Sequence, residues 1–99
     1  MDIILEIKNP ESREWEIFPI LTVQNHSFRG GLNTAVSIGS VLEMRFVNLN
    51  GDSNTSVEGE FYGRINSIRL LDESDYYLLC GEVVNGQDVW ERLSEGLLK

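Results

Sequence analysis

Apolar side chains recur at every second residue in segment after segment of this chain, and that period of two commits most of it to half-buried β-strands. Ile3, Leu5 and Ile7 share one side of the first such segment, and Glu6 and Lys8 take the other. Asn9-Pro10-Glu11-Ser12 is turn chemistry, because Pro fixes φ while Asn and Ser bond the nearby backbone. Residues 13–18 return as a second strand, with Trp15 and Ile17 on a common face. After Pro19, residues 20–24 form a third strand or a continuation past a bulge. Residues 25–31 read as a polar, glycine-ended loop, and 32–38 as a weaker strand closed by Gly39-Ser40. In 41–49 the pattern is strong, with Leu42, Met44 and Phe46 alternating with Glu43 and Arg45. A loop follows over 50–54. Residues 57–71 are long enough for a bent strand with Val57, Phe61 and Ile65 on one face. The apolar register then switches to Ile68 and Leu70, which places a β-bulge near 65–67. Asp72-Glu73-Ser74-Asp75 turns the chain into a last, largely apolar strand over 76–84.

The period then changes. Val89, Trp90, Leu93 and Leu97 follow helical spacing, with Asn85 near the N-cap, Asp88 in the first turn and Gly96 at the frayed end. With 99 residues and 41% apolar side chains, one core and one domain, 1–99, are expected. The fold class is mainly β: a small antiparallel β-barrel of six or seven strands with a C-terminal α-helix packed against it.

Catalysis finds no constellation to work with. The single histidine, His26, adjoins Ser27, but sequence neighbours on an extended chain point apart and make no nucleophile–base pair. One His and one Cys fall short of a zinc site, so no metal is expected. Glu14/Glu16 and Glu58/Glu60 read as solvated strand faces, and no glycine pattern matches a P-loop or a dinucleotide fingerprint. No catalytic residue and no cofactor are assigned. Cys80, inside an apolar run, reads as a small buried hydrophobe whose sequence neighbours supply no basic group.

Charge narrows the partners. The formal net charge is −8, which opposes nonspecific binding to nucleic acid or to an anionic membrane. The acids concentrate after residue 71, whereas Lys8, Arg13, Arg29, Arg45, Arg64 and Arg69 precede it, so the surface is potentially dipolar. No apolar run approaches the roughly 20 residues needed to cross a bilayer, and the start of the chain lacks a signal-peptide pattern. A cytoplasmic location is the expectation.

One stretch offers binding chemistry: Asn25-His26-Ser27-Phe28-Arg29-Gly30-Gly31. Asn and Ser can read a base edge, Arg can fork onto a phosphate or onto guanine O6/N7, and Gly lets a backbone approach. The same residue types also make ordinary turns.

The stretch resembles the Asp/Asn-x-Ser-x-x-Gly motif of the PilZ domain family, bacterial receptors for cyclic di-GMP. Order and spacing agree over residues 13–99, through Gly39-Ser40 and the strand after it, Phe61-Tyr62-Gly63-Arg64-Ile65, an acidic turn, Tyr77 to Val83, and a terminal helix. The resemblance implies a barrel in which Asn25 and Ser27 meet a guanine while Gly30 keeps the turn open. Ligand-binding members also carry an upstream Arg-x-x-x-Arg clamp. Here Arg13 is the only arginine before Arg29, with Ile17 four residues on and Asn9 four before. The ligand-binding candidates are therefore Arg13, Asn25, Ser27, Arg29 and Gly30. The expected function is a non-catalytic signalling adaptor that binds a protein in a cyclic di-GMP-linked pathway, with weak or no nucleotide binding. Two alternatives stand beside it: a genuine cyclic di-GMP receptor using Arg29, and an unrelated barrel serving as an assembly subunit.

Overall fold

A computed structural model describes residues 2–50, 54–71 and 75–98. Seven strands form one antiparallel sheet: β1 (Asp2–Lys8), β2 (Trp15–Ile17), β3 (Ile20–Gln24), β4 (Ser27–Leu32), β5 (Val41–Asn50), β6 (Asn54–Leu70) and β7 (Tyr77–Asn85). Helix α1 (Gln87–Leu93) and a 3-10 helix (Ser94–Leu98) follow. The strand order is β2-β1-β5-β6-β7-β4-β3, and the sheet curls into a half-barrel. Its two edge strands are consecutive in the chain and joined only by Phe18-Pro19. The Phe18 amide donates to the Leu5 carbonyl at 2.8 Å, and the Pro19 carbonyl accepts from Gly31 at 3.1 Å. This dipeptide therefore ties both ends of the sheet together.

The concave side holds the core. Leu5, Ile7, Met44, Phe46, Phe61, Ile65, Leu79 and Val83 point inward by the alternation that the sequence displays. Trp90 completes it, fully buried, with its ring 5.3 Å from Phe61 and 5.9 Å from both Phe28 and Phe46. A seven-residue helix is too short to persist in water unaided, so this burial is what holds α1 in place. Its indole N–H donates to the Asn25 carbonyl at 2.5 Å, which satisfies the one polar atom the ring takes inside.

Several expectations change. Residues 25–31 are not a loop: Asn25 and His26 alone make the turn of a β3–β4 hairpin, and β4 begins at Ser27. Two glycines are tolerated in that strand because β7 pairs with all of it, from Ser27↔Glu82 to Leu32↔Tyr77. The strand expected over 32–38 is missing, since β4 ends at Leu32, where the β7 ladder also ends. Val57 is half exposed rather than aligned with Phe61 and Ile65, because the β5–β6 register shifts between Phe46↔Gly59 and Val47↔Val57 and leaves Glu58 as an extra residue. The bulge expected near 65–67 is present, with Asn66 unpaired between Ile65↔Gly81 and Ser67↔Cys80.

At the helix start Asn85 is the last residue of β7, and Gly86 is the cap, with φ of 85° and no side-chain capping bond. A left-handed residue is needed there to turn the chain from strand into helix, which favours glycine. The loop and turn expected over 50–54 and 72–75 fall largely on 51–53 and 72–74, outside the described residues. The turn after β1 does form, organised by buried Asn9: its Oδ1 accepts from the Glu11 and Ser12 amides, and its Nδ2 donates to Glu16 and Thr34. Glu16 is consequently half-buried rather than on a solvated face. Among the described residues no helix is long and apolar enough to cross a membrane.

Replacing Trp90 with Ala removes the ring on which three phenylalanines converge, and it is expected to cost about 3–5 kcal/mol in urea unfolding. Trp90→Phe keeps most of the packing but strands the Asn25 carbonyl, for a smaller loss of about 1–3 kcal/mol.

Candidate functional site

The residues singled out in the sequence fall in three different places. Ser27 and Arg29 lie on the outer, convex face of β4, exposed, two residues apart on one side of the strand. Cross-strand pairing extends two rows from them. Gln24, Ser27, Glu82 and Arg64 lie opposite one another across β3, β4, β7 and β6. Thr22, Arg29, Cys80 and Ser67 form the second row. Between them opens a shallow groove of about 210 Å³ lined by Thr22, Gln24, Ser27, Phe28, Arg29, Asn66, Cys80 and Gly81. Asn66 reaches it because the β6 bulge has inserted it as an extra residue.

Asn25 stands just before this face, in the hairpin turn, with a left-handed φ of 53° that Asn tolerates better than most residues. Its carbonyl is held by Trp90 and its side chain is exposed. His26 turns away from Ser27: its Nε2 lies 2.8 Å from Glu91 Oε1 on α1, and its carbonyl accepts from the Val83 amide at 2.7 Å. The hairpin turn is thus fastened to both helix and sheet, and the histidine does not face the serine.

Gly30 does not keep a turn open. It sits inside β4 on the concave side, buried, where a Cβ would come within 2.7 Å of the Phe18 ring and of the Pro19 carbonyl. Its role is to let the seam of the half-barrel close. Arg13 is elsewhere as well. It lies at the far side of the β1–β2 turn, with φ of 65°, in a separate groove of about 160 Å³ with Lys8, Asn9, Pro10, Val41, Leu42 and Glu43. The structure brings together Ser27 and Arg29, sets Asn25 beside them, and leaves Arg13 and Gly30 out.

Cys80 also departs from expectation. It is half-buried rather than buried, and Arg29 stands directly opposite it across the β4–β7 ladder. Scanning chain neighbours missed that basic residue because a sheet supplies neighbours from other strands. Thr22 and Gln24 were missed for a similar reason, although period-two counting back from Ser27 across a two-residue turn places both on its face. Chemically the groove offers hydroxyls, amides, a thiol and one guanidinium, a set that binds by hydrogen bonds and charge. Among the described residues no group of three or more His, Cys, Asp or Glu could hold a metal ion.

Gly30→Ala tests the seam: the added methyl meets the Phe18 ring and rigid backbone, so a loss of about 1–3 kcal/mol in chemical denaturation is expected. No protein-family model, curated protein or solved structure matches the chain.

Proposed function

We propose that this domain is a PilZ-like adaptor without catalytic activity, which binds a protein within a bacterial cyclic di-GMP-linked pathway and has little or no affinity for the nucleotide. The observation that carries the reading is the separation of Arg13 from Ser27 and Arg29 into a different groove. A dianionic dinucleotide laid against Asn25 and Ser27 meets Arg29 in the groove, with Arg64 two strands away beyond Glu82, and lacks the paired guanidiniums that the family's clamp supplies. Each charge-assisted hydrogen bond forgone is worth about 1.5–3 kcal/mol, and about 1.4 kcal/mol is a factor of ten in affinity. The groove volume of about 210 Å³ also falls below the roughly 300–1,000 Å³ usual for small-molecule sites.

A second reading, a genuine cyclic di-GMP receptor, is favoured by one observation: Ser27 and Arg29 do line the same groove. Isothermal titration with cyclic di-GMP separates the two. The adaptor reading expects no measurable heat at high micromolar nucleotide. Tight binding that disappears in Asn25→Ala or Arg29→Ala would replace it with the receptor reading.

A further inference from the structure

The basic residues carried by the strands fall into two groups. On the β1–β5 side they are neutralised: Lys8 pairs with Glu43 at 3.4 Å, and Arg45 Nε donates to Glu6 at 2.7 Å while its guanidinium lies 4.1 Å over the Trp15 ring. On the β4–β7–β6 side they are not. Arg29, Arg64 and Arg69 are all exposed and form no ion pair among the described residues. Register places them on one convex face, with Arg29 opposite Cys80, Arg64 opposite Glu82 and Arg69 opposite Leu78. Arg64 and Arg69 each lie two strands and two residues from Arg29. With a strand spacing of about 4.8 Å and a rise of about 3.4 Å, those Cα separations are roughly 12 Å. Glu82 is the one carboxylate directly opposite any of the three in the ladder.

We propose that this face docks an acidic peptide segment of a partner protein, with carboxylates taken by Arg29 and Arg64. The peptide backbone would lie over the polar groove of Thr22, Gln24, Ser27 and Asn66. The inference deepens the adaptor reading and rests on it. Charge complementarity selects the occupant: unpaired guanidiniums favour carboxylates, which they can grip bidentately, and the surrounding amides and hydroxyls match peptide N–H and C=O groups. The overall charge of −8 does not forbid this, since the screening length at physiological salt is about 8 Å and three arginines on this face stand against one facing carboxylate, Glu82. It does disfavour a nucleic acid, whose charge extends well beyond this patch.

The test follows backbone amide resonances of the full chain as hexaglutamate is added, with hexaglutamine as the neutral control, at low and high salt. Expected are shifts confined to β3, β4, β6 and β7, absent with hexaglutamine and suppressed by salt. The double variant Arg29→Glu/Arg64→Glu should bind at least about tenfold more weakly. Arg92→Glu, on the exposed side of α1, makes the same charge change as Arg29→Glu alone and should leave binding unaltered where Arg29→Glu weakens it. Shifts mapping to another face, or equal binding by the double variant, would overturn the proposal. So would shifts of this face on concentrating the protein alone, which would identify a second copy as its occupant. Cyclic di-GMP added by itself reads the adaptor proposal separately: nucleotide binding would sink that reading without producing or abolishing the hexaglutamate response.

Discussion

A half-barrel exposes its concave side unless something fills it, and here one indole completes the filling. Trp90 is fully buried where Phe28, Phe46 and Phe61 converge, so strands from both halves of the sheet pack on a single ring. Aromatic contacts of this kind add about 0.5–1.5 kcal/mol each beyond the area they bury. The same side chain fixes the β3–β4 turn, because its N–H is satisfied by the Asn25 carbonyl. The position of the candidate site is therefore coupled to the core: the turn that presents Asn25 and Ser27 cannot shift without unsatisfying a buried donor. The His26–Glu91 contact adds a second, exposed tether between the same two elements.

How much of this was legible in the sequence depends on the range of the interaction. Ile3, Leu5 and Ile7, or Leu42, Met44 and Phe46, declare their strands through side-chain alternation alone, and the step from Ile65 to Ile68 announces the bulge. The helix is equally plain in Val89, Trp90 and Leu93, although it ends there and Leu97, expected on the same helix, is carried by the 3-10 turn that follows. Residues 25–31 misled because glycine and polar residues favour loops locally, while a partner strand about fifty positions away supplies the hydrogen bonds that make Ser27–Leu32 a strand. Gly30 looked like a flexible residue and is a spatial one, since the ring it accommodates belongs to Phe18. Cys80 acquired its basic neighbour, and Val57 lost its inward direction, through register that no local window contains.

Electrostatics follow the same logic. A count of charges gives an acidic protein, and a count along the chain suggests acids late and bases early. Pairing across the sheet rearranges that linear picture: bases from β1 and β5 are absorbed by adjacent carboxylates, while those of β4 and β6 stand open around one polar groove. Net charge governs long-range behaviour such as solubility, and the local arrangement governs what docks at contact distance. The two need not share a sign.

The seam between β2 and β3 has a geometric consequence. Laid flat, a sheet of seven strands would hold its outermost members about 29 Å apart, from six spacings of roughly 4.8 Å. Ile17 and Ile20 are the facing ends of those outermost strands, and three peptide steps reach at most about 11 Å. No flat arrangement of this connectivity exists. The curvature is therefore a property of the chain's wiring as much as of its side chains: the sheet can be flattened only by giving up an edge strand, as a hoop can be straightened only by being cut.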